Sequence, residues 1–338
     1  MNFVLGDRSN EGTLYRSRRS VLGDMVDASP VYVGKPPFQY TNNDYPTYQA
    51  NNAARCPVVY AAANDGMLHA FSARTSTSAS GCPTAGSEMW AYIPRAVMPN
   101  LYMLGDSDYA NQHRFSVNAT PVVADISHVD SGANVWQTIL VGGLGAGGKS
   151  YYALDVTSPT APTLLWEFTD ADLGLSYGNP VITQVQDSSG TLVWAAVFTS
   201  GLNNSGNGYL YVLNARTGAV IYKVPTLVSN AAVGSSSTPS GLNKLNAWIA
   251  TPSDNEAVRF YAGDLLGNLW RFDANNLAAP TSGADTRSVR LAQFVKNSIA
   301  EPITVKPELA EVQYGGYRYP VVLVGTGRYL GATDAMDT

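Results

Sequence analysis

A chain of 338 residues is long enough for one large domain or two ordinary ones, and its size sets no obstacle to a core. Only 14% of residues are charged while Gly, Pro, Asn, Ser and Thr abound and 20 are Tyr, a balance that favours strands and irregular loops over helices. The net charge of -5 leaves no basic stripe to displace counterions, which argues against a nucleic-acid surface, and no apolar run approaches a membrane span.

The first 27 residues read as an arm whose one basic stretch is Tyr15 to Arg19 (YRSRR), with no secretory h-region. A recurring order then begins. A short strand opened by Pro appears at Ser29–Gly34 (SPVYVG), Thr120–Asp125 (TPVVAD) and Asn179–Thr183 (NPVIT). Apolar runs leading into glycine turns follow at Val58–Gly66, Thr138–Gly145, Trp194–Gly201, Val258–Gly267 and Pro320–Gly327. After the first four comes a further alternating strand: MLHAFSA, KSYYALDV, GYLYVLNA and GNLWRFDA. Three of these lead to another strand-like run: EMWAYIP, LLWEFTD and AVIYKVP.

Each unit thus reads as four short antiparallel strands. One such sheet cannot bury both faces alone, whereas radial stacking buries them and leaves only short edges. The fold class expected is all-β: a modified, quinoprotein-like β-propeller of four-stranded antiparallel blades, forming a single domain over residues 1–338. A β-sandwich would share the alternation but not the repeated order. Four full or nearly full units and the start of a fifth are present, so either residues 1–27 complete a blade or the chain is truncated. The Ser/Asn/Gly-rich stretch 228–245 is expected to be a long loop.

Cys56 and Cys82 lie in loop-like sequence. A bridge between them in an oxidising compartment would clip a long loop, and two unpaired thiols are the alternative; the loop context favours the bridge. The glycines of Gly143–Gly148 have the spacing of a dinucleotide fingerprint, but the strand pattern that follows lacks the required helix, so they read as a hairpin. His69, His113 and His128 show no ligand spacing, and His69 sits inside a strand pattern. The acidic pairs Asp106/Asp108, Asp125/Asp130 and Asp170/Asp172 read as turn formers. Asp254, Asn255 and Glu256 offer hard oxygen donors and are the calcium candidates, without the alternating Asp/Asn of a regular calcium loop. No catalytic residue or organic cofactor site is expected. Tyr40, Tyr45, Tyr48 and Tyr109, in polar loop sequence, would serve a glycan-binding propeller by stacking on sugars.

Six segments in order resemble the C-terminal domain of the PilY/PilC-type family of type IV pilus biogenesis factors and tip-associated adhesins: Arg16–Gly34, Ala62–Phe71, Leu140–Asp155, Leu165–Asp172, Tyr261–Asp273 and Gly325–Gly331. The resemblance implies a modified propeller exported through the periplasm to the pilus tip, cell surface or outer membrane. It also implies roles in pilus extension, twitching motility and attachment. Expected partners are pilin subunits or other pilus assembly proteins and a host or abiotic surface. The family's calcium loop falls just before Tyr261; here its first, third, fifth, glycine and closing positions are Ala250, Pro252, Asp254, Asn255 and Val258, so only Asp254 keeps an acidic ligand. A second resemblance, to the propellers of PQQ-dependent quinoprotein dehydrogenases, lacks the vicinal cysteines and regular tryptophan docking motif of those enzymes.

Overall fold

The computed structural model describes residues 2–42, 44–75 and 80–328. Four antiparallel sheets of four strands each carry the fold, and in each the strands pair in sequence order. The first holds β1 (Val31–Val33), β2 (Val58–Ala63), β3 (Met67–Ser72) and β4 (Glu88–Tyr92). The second holds β5 (Val122–Asp130), β6 (Ala133–Gly143), β7 (Tyr151–Asp155) and β8 (Thr163–Phe168). The third holds β9 (Val181–Gln186), β10 (Leu192–Thr199), β11 (Tyr209–Asn214) and β12 (Val220–Pro225). Two-residue strands β13 (Leu227–Val228) and β14 (Ala231–Ala232) form a small hairpin inside the expected long loop. The fourth sheet holds β15 (Leu245–Ile249), β16 (Ala257–Gly263), β17 (Asn268–Asp273) and β18 (Val289–Gln293). Two hairpins follow: β19 (Val295–Lys296) with β20 (Ile299–Ala300), and β21 (Glu308–Tyr314) with β22 (Tyr317–Leu323).

The inner strands of each sheet are apolar for a physical reason. Along β10, Trp194 through Thr199 are all buried, as are Tyr151 through Leu154 of β7; strands covered on both faces read as continuous apolar runs. The last strand of each sheet is an edge and is more exposed, as β4, β8 and β12 show. Sequence order identified the Pro-opened first strands of three sheets but not β15, whose Leu-Asn-Ala-Trp-Ile lacks the proline, nor β18.

The chain divides into two compact units, residues 1–38 with 43–169 and residues 39–42 with 170–338. In the first unit, Tyr60, Leu68, Leu140, Tyr152 and Leu154 share one core with Phe3, Val97 and Leu101. The second buries Phe198, Val212, Phe260, Trp270 and Phe272.

Among the described residues, residues 2–27 add no strand to any sheet, so the blade completion expected of this segment is not seen there. They fold around Arg18 instead. Its guanidinium lies 3.6 Å over the Phe3 ring and donates to Glu11 Oε1 at 2.8 Å and to the carbonyl of Phe3 at 2.8 Å. A buried guanidinium needs such partners, and satisfying them fixes this segment in a non-strand path.

Candidate functional site

The three calcium candidates occupy one turn between β15 and β16, in the second unit. The Thr251 carbonyl accepts the N–H groups of Asp254 at 3.1 Å and Asn255 at 3.0 Å, and Asn255 adopts a left-handed backbone with φ 51°. Asn readily takes that conformation. Strand β9 closes on the turn: the Asn255 carbonyl accepts from Gln184 N–H at 2.8 Å and from Thr183 Oγ1 at 2.6 Å, and the Asp254 carbonyl accepts from Gln184 Nε2. The Asn255 amide donates to Tyr40 Oη and to the Ile182 carbonyl, both at 3.2 Å.

Calcium takes about six to eight oxygens, often including backbone carbonyls. Here the carbonyls of Asp254 and Asn255 are engaged by β9, and among the described residues no group of three or more His, Cys, Asp or Glu is arranged to hold a metal ion. Asp254, Asn255 and Glu256 are therefore brought together, but as a turn held by protein donors; this set does not fit a calcium cage.

In the first unit, the insert between β1 and β2 is the more elaborate feature. It carries α1 (Tyr45–Asn51), whose buried Tyr45 and Tyr48 face the second sheet's polar residues. Cys56 at its end is disulfide-bonded to Cys82, with Cα atoms 5.5 Å apart. Tyr45 Oη donates to Asp125 Oδ2 at 2.7 Å, and Thr138 Oγ1 donates to Asp125 Oδ1 at 2.5 Å. Arg55 donates to Thr138 Oγ1 at 2.6 Å and to the Gly34 carbonyl at 2.9 Å through Nε. Because the one Thr138 proton goes to Asp125, the 2.7 Å contact from Tyr48 Oη has Tyr48 as donor. Burial pushes the Asp125 carboxyl above its ordinary pKa, against the hydroxyl hydrogen bonds and Arg55, which pull the other way.

This network borders a cavity of about 340 Å3 walled by Val31, Val33, Phe38 and Val123. Sequence pattern had assigned Asp125 to turn formation; it is instead a buried strand residue whose partners lie on other elements. The other acidic pairs behave differently. Asp106 and Asp108 do shape a turn, with Asp108 N–H donating to Asp106 Oδ1 at 2.9 Å. Asp170 and Asp172 also grip Lys223 Nζ, at 2.8 and 2.7 Å.

Tyr40, Tyr45, Tyr48 and Tyr109 are all buried, which corrects their reading as a sugar-stacking platform. Each packs or hydrogen-bonds inward; Tyr40, for instance, lies 5.3 Å from the Trp194 ring. Exposed tyrosines are found at Tyr32, Tyr102, Tyr314, Tyr317 and Tyr319. Gly143–Gly148 turn from β6 toward β7 and open no helix. A Cβ on Gly147 would fall 1.8 Å from the Ser116 carbonyl oxygen, so close backbone packing explains the glycine there. His69 is buried within β3.

Residues 22–338 match the family model described as the PilY1 beta-propeller domain. The chain belongs to this family. Its four-stranded antiparallel sheets are accordingly blades of a β-propeller. It is 36% identical to a type IV pilus biogenesis factor PilY1 homolog of Xylella fastidiosa, the match covering 99% of this chain and 25% of that protein. It is 33% identical to the type IV pilus biogenesis factor PilY1 of Pseudomonas aeruginosa strain UCBPP-PA14, over 99% of this chain and 29% of that one. The crystal structure of the Pseudomonas aeruginosa PilY1 C-terminal domain superposes with a TM-score of 0.66 at 30% identity, covering 90% of this chain and 60% of that chain. The chain thus spans about a quarter of the length of the full relatives it matches.

Proposed function

We propose that this propeller works in type IV pilus biogenesis as a non-catalytic interaction domain supporting pilus extension, twitching motility and surface attachment. The observation that carries the reading is the family match over residues 22–338, together with relatives that are themselves pilus biogenesis factors. Its surface loops would meet pilin subunits or other pilus assembly proteins, because a rigid scaffold leaves recognition to its connections. The Cys56–Cys82 bridge suits a protein that has left the reducing cytoplasm, in keeping with a place at the cell surface or outer membrane. No helix among the described residues is long and apolar enough to cross a membrane.

The buried polar clusters support a structural reading of the interior. Asp125, Asp264 and Arg18 each face fixed hydrogen-bond partners. The test is removal of codons 22–338, in frame, from the parent gene, followed by counts of surface pili and twitching-zone diameter. Loss of both, restored by the intact gene, is expected; wild-type piliation and twitching would refute the proposal. Dye-linked alcohol oxidation by the purified chain after quinone addition would establish a dehydrogenase instead.

A further inference from the structure

A second cavity in the first unit, of about 520 Å3, has apolar walls that include Val21, Leu22, Phe71, Met89 and Trp90. Its polar wall is a row of three side chains, Asp65, His69 and Glu88. Each imidazole nitrogen of His69 faces a carboxylate. Nδ1 lies 2.7 Å from Glu88 Oε1, and Nε2 lies 3.1 Å from both Asp65 oxygens. An ionised carboxylate only accepts, so these contacts need two N–H donors, which imidazolium has and neutral imidazole lacks. His69 is 4% exposed, and its ring stacks on Phe71 with centroids 5.7 Å apart. Burial lowers its proton affinity, but the Asp65 and Glu88 carboxylates outweigh burial and leave the pKa raised above the usual histidine value.

The two carboxylates are anchored differently. Asp65 is nearly buried and also accepts Gly23 N–H at 2.7 Å and Met67 N–H at 3.2 Å. The Glu88 side chain is 47% exposed. Glu88 opens β4, the edge strand, next to the register shift between Ala70 and Phe71. When the ring loses a proton, the tautomer that keeps Nε2–H preserves the bond to buried Asp65. The bare Nδ1 lone pair then faces Glu88, which is free to turn into water.

We propose that His69 is a pH-sensitive latch: charged, it ties the start of β4 to the β2–β3 turn and to the N-terminal segment held there; neutral, it releases Glu88 and opens the cavity beside Met89 and Trp90. A raised folded-state pKa means the latch contributes fully below about pH 6.5, the ordinary histidine value, and is lost as pH rises through the higher folded value. Among the described residues, the charged groups facing the ring are Asp65 from the turn and Glu88 from β4, and the N-terminal segment brings Val4, Leu5, Val21 and Leu22 to this cavity. Asp24 on that segment is directed to Asn64 at 2.7 Å and to His113 at 3.0 Å.

The test is a proton NMR titration of the histidine Cε1 resonances in the full chain, assigned with His113→Gln and His128→Gln, alongside hydrogen-exchange protection factors of β4 amides. His69 is expected to titrate above a histidine in an unfolded peptide, and β4 protection to fall across the same midpoint. In Glu88→Gln, an exposed substitution that preserves folding, the amide can donate or accept; the midpoint should drop and β4 protection become independent of pH. A His69 midpoint at or below the unfolded value, or β4 protection unchanged through a raised midpoint, would overturn the latch.

Discussion

The β2–β3 turn of the first sheet and the β16–β17 turn of the fourth occupy the same place in their blades, and each is organised by a buried aspartate. Asp65 and Asp264 both accept the N–H two residues ahead, Met67 and Leu266. Four residues ahead the two diverge. Asp264 meets Asn268, whose backbone N–H donates at 2.8 Å and whose side-chain amide donates at 3.0 Å, and Trp270 Nε1 adds a further bond at 2.8 Å. Asp65 meets His69 instead. The first set is neutral around its carboxylate and fully donor-satisfied; the second contains a titrating group that is shared with Glu88. The same backbone device thus serves as a fixed staple in one blade and a proton-dependent contact in another.

The largest effect expected from breaking this comparison is Asp264→Ala. Removing a fully buried acceptor strands several donors, and the loss should be about 4 kcal/mol, read from urea unfolding. Next is the clip beside the first sheet: Cys56→Ser with Cys82→Ser, or reduction, frees a loop of 26 residues' separation and should cost about 3 kcal/mol, with a matching fall in thermal midpoint. Tyr45→Phe removes one donor from buried Asp125 and should cost roughly 1–2 kcal/mol without changing the fold's circular-dichroism spectrum. At the small end, Tyr314→Ser on the exposed β21–β22 hairpin should stay within about 0.5 kcal/mol of the parent.

Blade order was legible because each blade repeats an apolar strand and a glycine turn, three of the four open with a Pro-strand, and the middle strands are covered on both faces. A single cysteine pair left one possible bridge, and Cys56–Cys82 forms it. Helix α1 was not legible: Tyr45 and Tyr48 sit in polar sequence, and what buries them, Trp136 with Asp125 and Thr138, lies 80 or more residues away. The same distance hid the role of Asp125. Arg95–Gly105, a 3-10 segment containing Pro99, was likewise not read from the sequence, although its buried Val97, Leu101 and Leu104 fall at helical spacing; the proline in its middle breaks the helix signal. The last stretch of the family resemblance, Gly325–Gly331, extends past residue 328 and so lies partly outside the described residues.

The most direct test of the contrast between the two turns is the pH dependence of unfolding in a matched pair, Asp65→Asn and Asp264→Asn, each compared with the parent chain between about pH 6 and 9. The destabilisation by Asp65→Asn should shrink as pH rises and His69 loses its proton, while that by Asp264→Asn should stay constant. An Asp65→Asn stability curve running parallel to the parent across that range would contradict the account.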